Sequence, residues 1–445
     1  MYYLKLIVLA CGLLLFWDIV QAGFSVEGEL PRRAQLGFSV GVENNRLAVS
    51  EVVAESPAAA AGLRAGDIIV SVNDRTYAHD FEGRELLRRL DGGVEARLVV
   101  ERAGAERGLV FISAALPFVD REGVNTRYGA FETSDGSVLR TALSRREGLD
   151  GPLAVVALIQ WVSCGVVTDE MKPELLAVME TLPVAIIRVE RTSSGDSEGA
   201  ACYELDYDTE IRHYTEALLD VAGDPWVDRS RVYLYGSSLG STEAPLVAQA
   251  LKRNGLQVAG LMVQGGGGIT YLERMITFDR INLERRDDRD FRAIHEGMTA
   301  RIQFQVEYLV KGRHPDEIAG DSPTMEQVRG DTLGLGKYDH YGRPFAWHQQ
   351  ASRWDFLEAW LAAAAPTLVA YAEFDQFEGP HGHRMIVEVL NREYPGLAEF
   401  VLLPHINHFN EFHTDADQAY FRAKGVSAIQ LWASHMVDWL GKQLQ

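Results

Sequence analysis

Between residues 153 and 264, short, predominantly apolar runs alternate with longer stretches in which apolar residues recur every three or four places. The runs at 153–160, 184–190, 231–235 and 257–264 show no polar alternation, so each predicts a strand buried on both faces. The stretches at 170–182 and 209–221 have the helical period and predict amphipathic helices covering those strands. This rhythm predicts an α/β fold, a mostly parallel sheet with helices on both faces. Just upstream, apolar segments at 128–131 and 138–143 flank Ser134-Asp135-Gly136 and predict a hairpin. Downstream the rhythm breaks. Residues 265–363 are charged and rich in aromatics, with helix-like pieces at 290–311 and 351–364 and no strand pattern, which predicts a helical cap inserted between two sheet strands. Strand patterning returns at 367–371 and 399–403, and 427–444 has the period of a closing amphipathic helix.

Residues 31–116 have a different texture. RAQLGFSV at 33–40 opens the unit, and SPAAAAGLRAGDIIVSVND at 56–74 reads as a short helix, a glycine turn and a strand. The unit resembles a PDZ domain of the bacterial protease-associated kind. The resemblance implies that the loop Leu36-Gly37-Phe38 takes a peptide C-terminal carboxylate on its backbone N–H groups, the peptide adding as a strand to the sheet edge. It makes 80–90 the helix lining that groove. Gln35 stands where the family usually has glycine, and the alternative is a PDZ fold used only as an internal brace.

Composition narrows the functional classes. The chain has 445 residues, 47% hydrophobic and 24% charged, with a formal net charge of −20. Such an acidic chain is poorly suited to nucleic acid, whose binding rests on basic contacts to phosphate. Residues 1–22 read as a secretory signal: Lys5, an apolar run at 6–17, and the small-residue triplet Val20-Gln21-Ala22 before Gly23. That predicts a periplasmic or secreted protein with no membrane span once the leader is cleaved. With Cys11 removed, Cys164 and Cys202 remain, and an oxidising compartment favours a disulfide over two buried thiols.

The candidate chemistry centres on YGSSLGST at 235–242. A strand precedes it and a segment of small residues follows, the context in which G-x-S-x-G makes a nucleophile elbow. Ser238 then stands at the tip of a tight turn, at a helix N-terminus whose N–H groups can stabilise an oxyanion. After the strand at 367–371 comes AEFD at 372–375, and after 399–403 comes PHINHF at 404–409. Each places a polar group at the carboxyl end of a strand, the same edge as Ser238. Asp375 is favoured over Glu373 as the acid, and His408 over His405 as the base.

The order Ser238, Asp375, His408 is that of an α/β-hydrolase triad. Residues 120–445 are similar to the α/β-hydrolase superfamily, in particular its bacterial carboxylesterase and prolyl-oligopeptidase-like branches. RTSSGDSEG at 191–199 resembles the family's loop after the fourth strand, and QWVSC at 160–164 sits where the family has His-Gly-x. The resemblance implies oxyanion donors at the backbone of Leu239 and Val162, with Trp161 in place of the family's glycine.

These readings predict an exported serine hydrolase of carboxylic esters, working through an acyl-enzyme with no cofactor. The histidines at 381, 383, 405, 408 and 413 lack an H-E-x-x-H string, so no metal is expected. The expected partners are a small acyl ester and, at the PDZ groove, a peptide C-terminus. Two alternatives stay open: a prolyl-oligopeptidase-like peptidase fed by the PDZ unit, and a non-catalytic periplasmic adaptor.

Overall fold

The structure, a computed structural model, describes residues 30–44, 46–118, 121–166, 172–267, 269–285, 290–420 and 424–445. The leader read at 1–22 lies outside the described residues.

The first sheet is built from β1 (Phe38–Glu43), β2 (Arg46–Val52), β3 (Ile68–Val72), β4 (Arg75–Thr76), β5 (Glu95–Arg102) and β6 (Ala105–Ile112). It runs β1-β2-β3-β5-β6, with β4 paired to β3. Helix α1 (Pro57–Ala60) starts where Ser56 Oγ accepts from Ala59 N at 3.1 Å, with Pro57 pre-set for the first turn. Helix α2 (Asp80–Arg88) lies on the sheet, and Leu47, Ile69 and Val100 form the core between them.

The second sheet is larger: β7 (Val124–Glu132), β8 (Val138–Arg146), β9 (Leu153–Ile159), β10 (Val184–Val189), β11 (Val227–Ser237), β12 (Gly260–Gln264), β13 (Thr367–Phe374), β14 (Ala398–Asn407), β15 (Glu411–Phe412) and β16 (Val426–Ser427). Its order is β16-β15-β14-β13-β12-β11-β9-β10-β8-β7. Strands β9 to β14 are parallel, and β8 runs antiparallel to β10 and β7. The apolar runs alternate after all, but between two cores. Val155, Ala157 and Ile159 face α4 (Tyr207–Val221) and α5 (Gly240–Arg253). Ala154, Val156 and Leu158 face α3 (Pro173–Thr181) and the last helix, Ile429–Gln443. This is the α/β-hydrolase fold. From β9 the chain crosses outward to β10 and returns to β11 on the other side of β9. Loops leaving β9 and β11 therefore diverge and open a crevice at the carboxyl edge.

The cap comprises α6 (Tyr271–Glu284), α7 (Phe291–Gln305), α8 (Pro315–Ala319), α9 (Pro323–Asp331), α10 (Phe345–Ala351) and α11 (Phe356–Ala363). The helix expected at 290–311 ends its α-helical part at Gln305 and finishes as a π-helical turn, Val306–Val310. Arg301 on α7 reaches back to Asp279 on α6 at 2.9 Å, both buried, which fastens the two helices. Three helices complete the chain: α12 (Pro380–Glu393), α13 (Ala416–Tyr420) and α14 (Ile429–Gln443). Strand β14 extends well past the apolar run at 399–403, because its polar end still pairs with β13 and β15. Among the described residues no helix is long and apolar enough to cross a membrane.

The two sheets meet through arginines. Arg33, 5% exposed, donates to Gly195 O at 3.1 Å, Ser197 O at 3.3 Å and Glu198 Oε1 at 2.6 Å, and Arg32 pairs with Asp196. Glu190 lies beneath this contact and accepts from Asp196 N at 2.9 Å. Burial, only partly offset by the Asp196 N–H and the nearby arginines and reinforced by the Asp196 charge, pushes its carboxyl from 4.5 up to about 7. An acid whose folded-state pKa is raised binds more protons folded than unfolded between those two values, so its effect on stability worsens as pH rises through that window. Glu190→Gln should therefore leave the melting temperature unchanged below about pH 4.5 and raise it above pH 7. Thermal melts of both proteins from pH 4 to pH 9 read this directly.

Candidate active site

The elbow is built as the glycines require. Ser238 has φ of 54°, a left-handed backbone that costs a residue with a Cβ about 1–3 kcal/mol and persists where surrounding structure holds it. A Cβ on Gly236 would lie 2.4 Å from Gly240 O, and one on Gly240 would lie 2.0 Å from Ile159 O. Both collisions are with backbone, so neither position tolerates a side chain. The turn is closed by Ser238 N donating to Gln264 O at 2.8 Å and Ser241 N to Ser238 O at 2.9 Å. Leu239 leads directly into α5, where a first-turn N–H has no acceptor within the helix.

Three distant side chains meet here. His408 Nε2 is 2.9 Å from Ser238 Oγ, and His408 Nδ1 is 2.8 Å from Asp375 Oδ2. The other oxygen of Asp375 accepts from Phe377 N at 2.8 Å and Glu378 N at 2.9 Å. Asp375 is fully buried. Burial alone would raise its pKa, but the adjacent imidazole and these N–H groups outweigh burial and hold it below the usual carboxylate value. With Asp375 ionised, His408 Nδ1 carries a proton and donates, which leaves Nε2 free to accept from the serine hydroxyl. Phe377 packs edge-on against the imidazole, centroids 4.8 Å apart.

The competing residues go elsewhere. Glu373 is exposed and accepts from His405 N at 2.8 Å. His405 is exposed too and packs between Phe374 and Phe412. His383 is buried, with Nδ1 2.9 Å from Gly379 O. The glycine run that starts after Gln264 reads from sequence only as a turn into the cap. In the structure a Cβ on Gly265 would lie 2.9 Å from the His408 ring and one on Gly266 2.4 Å from Ser238 O. These glycines make room for the His408 ring and the Ser238 backbone.

Cys164 and Cys202 form a disulfide. It joins the loop after β9 to the segment after RTSSGDSEG, and Ser194 Oγ donates to Cys164 O at 2.5 Å across the same gap. A cavity of about 530 Å³ opens onto Ser238, with Trp161, Val162, Leu239 and His408 at its catalytic end. Its cap side is mainly apolar, with Met275, Phe278 and Tyr341, and Phe377 from the loop after β13 continues that wall. Apart from Ser238 and His408, the polar groups around the cavity left no signal in the sequence. Arg274 on α6 pairs with Glu378, and Lys172 Nζ donates to Ser237 Oγ at 2.7 Å beside the Trp161 ring. At the first sheet, Gly37 has φ of 72° and its carbonyl accepts from Val53 N, while Leu36 is half-buried and Phe38 is buried edge-on against Phe111.

A family model described as a PDZ domain matches residues 48–102. Polyketide transferase claH of Penicillium crustosum is 33% identical over 125 residues, which is 28% of this chain and 39% of that protein. The matched region thus spans well under half of that relative. Among solved structures, DcsB in complex with its substrate analogue superposes at a TM-score of 0.45 with 16% identity, covering 72% of this chain and 99% of that one. Est1E from Butyrivibrio proteoclasticus with ferulic acid bound gives 0.45 and 14%, over 72% and 99%. Brefeldin A esterase, a bacterial homologue of human hormone-sensitive lipase, gives 0.41 and 13%, over 74% and 80%. The fold itself stands on the chain's own strand order. A PDZ domain at 48–102 is thus joined to an α/β-hydrolase fold in which serine, histidine and aspartate form one hydrogen-bonded series at the elbow.

Proposed function

We propose that the protein is a serine hydrolase of carboxylic esters. The observation that carries the reading is the unbroken series Ser238 Oγ, His408 Nε2, His408 Nδ1, Asp375 Oδ2, with contacts of 2.9 and 2.8 Å. His408 takes the serine proton as Oγ attacks the ester carbonyl, and the backbone N–H groups of Leu239 and Val162 receive the oxyanion. His408 then protonates the leaving alcohol. Water enters, gives a proton to His408 and attacks the acyl carbonyl; His408 returns that proton to Ser238 Oγ as the acyl–Oγ bond breaks and the acid leaves. Asp375 keeps the imidazole in the productive tautomer and stabilises its charged form.

The apolar, partly aromatic cap side of the cavity suits an acyl or alcohol group of moderate size. The disulfide supports an oxidising compartment, in line with the leader read from the sequence. The loop Leu36-Gly37-Phe38 is offered as the carboxylate end of a peptide groove.

The test combines a fluorophosphonate probe with a panel of p-nitrophenyl esters and proline-containing peptide amides. Labelling that Ser238→Ala abolishes, with turnover of esters and not amides, is the expected result. Turnover of amides alone would move the assignment to a peptidase, and no labelling with no turnover would leave an adaptor.

A further inference from the structure

The loop after β9 reads QWVSC, with no glycine between Ile159 and Cys164. Something other than glycine must fix its peptide planes. Four successive carbonyls of this loop are captured by two buried guanidinium groups. Arg191 donates to Gln160 O at 3.0 Å, Trp161 O at 2.6 Å and Ser163 O at 2.8 Å. Arg343, from the cap, donates to Val162 O at 3.0 Å and Cys202 O at 3.3 Å. Glu210 on α4 sits between them. It pairs with Arg191, accepts from Arg343 at 3.0 Å, and accepts from Trp347 Nε1 at 3.0 Å. Arg191 and Arg343 are 3% and 0% exposed, so both planar forks are held in one orientation.

We infer that Arg191 and Arg343 are positioning residues that aim the Val162 N–H at the oxyanion, and that the PDZ domain steadies the loop carrying Arg191. Trp161 and Val162 line the catalytic cavity, and neither arginine does. The guanidinium groups therefore hold the loop from its far side. In a trans peptide the C=O of one residue and the N–H of the next point in opposite directions. Drawing the Trp161 carbonyl back onto Arg191 turns the Val162 N–H toward the cavity and the start of α5. Arg191 heads the 191–199 loop, which the PDZ side grips at both ends. Arg89 donates to Ser193 Oγ at 3.1 Å and Gly199 O at 2.7 Å, and Arg33 to Gly195 O at 3.1 Å. Such an arrangement replaces the backbone freedom of glycine with hydrogen bonds to fixed cations.

The inference rests on the serine-hydrolase reading, and the two can fail separately. Arg191→Lys and Arg343→Lys keep a positive charge opposite Glu210 but lose the planar fork. The expected result is a fall in kcat approaching the about 10²-fold that follows loss of one oxyanion donor, with KM within about threefold. Affinity for a trifluoromethyl ketone, which forms a tetrahedral adduct, falls by the same factor, while affinity for the product carboxylate stays constant. Parental kcat in a folded lysine variant, or equal weakening of ketone and carboxylate, overturns it. If neither variant folds, Arg89→Ala decides: a several-fold loss in kcat at constant KM supports the inference, and unchanged kcat overturns it. Parental turnover by Ser238→Ala would instead remove the hydrolase reading itself.

Discussion

His408→Ala is expected to lower kcat by about 10⁴- to 10⁶-fold, as far as Ser238→Ala does, while His405→Ala stays within about threefold of the parent. The two histidines are three positions apart on one strand end, and the geometry separates them completely. His408 reaches Ser238 Oγ at 2.9 Å and Asp375 Oδ2 at 2.8 Å. His405 is exposed, and its backbone N–H, not its ring, bonds the other candidate acid, Glu373. The near-equal losses at Ser238 and His408 follow because nucleophile and base act as a unit, so removing either disables the same step. What remains in both variants is the oxyanion site and substrate binding. The measurement is kcat on a p-nitrophenyl ester, with melting temperatures to show that each variant is folded. A His405→Ala loss matching that of Ser238→Ala, with His408→Ala active, would transfer the role of base.

Much of this centre is legible in the sequence because its signals are local. The elbow needs small residues at fixed offsets from Ser238, and a tight turn cannot form without them, so the spacing, read with the apolar run before it and the small-residue segment after it, reveals it. Asp375 and His408 each follow an apolar run that can only be a buried strand, and parallel strands deliver their carboxyl ends to one edge. What holds the loop after β9 leaves no such trace. Arg191, Glu210 and Arg343 come from a loop, a covering helix and the cap, and only the tertiary fold brings them together. In sequence, Arg343 is one charge among many in a stretch without periodicity. The same reason hides Arg274 and Glu378, whose pairing spans the gap between cap and sheet. The PDZ contacts are equally silent, since Arg33 and Arg89 read as ordinary surface charges until the 191–199 loop lies against them. The glycine run after Gln264 is visible but ambiguous, because a turn and a steric clearance demand the same residue.

Asp375→Asn should lower kcat by about 10⁴-fold with the fold intact. One carboxylate oxygen accepts from two backbone N–H groups, those of Phe377 and Glu378, and the other accepts from His408 Nδ1. Every contact asks Asp375 for a lone pair. An asparagine has one oxygen and one NH₂, so it satisfies one side only. With its oxygen on the two N–H groups, its NH₂ faces His408 Nδ1, and that nitrogen must give up its proton. The imidazole then carries hydrogen on Nε2, the atom that has to accept from Ser238. With the amide turned round, the NH₂ opposes two backbone donors in a fully buried site, which is the costlier arrangement. The tautomer is therefore wrong in the stable state, and no change of pH restores it. In the parent the depressed Asp375 pKa makes the carboxylate a stabilising group above the unfolded-state value, a contribution lost as pH falls through the folded one. The variant lacks that dependence, so its melting temperature should fall less steeply on acidification even though kcat stays low from pH 6 to pH 9. An asparagine variant within about tenfold of parental kcat would mean that imidazole orientation does not depend on this carboxylate. The buried Glu378, three residues along and already paired with Arg274, would then be the next acid to replace.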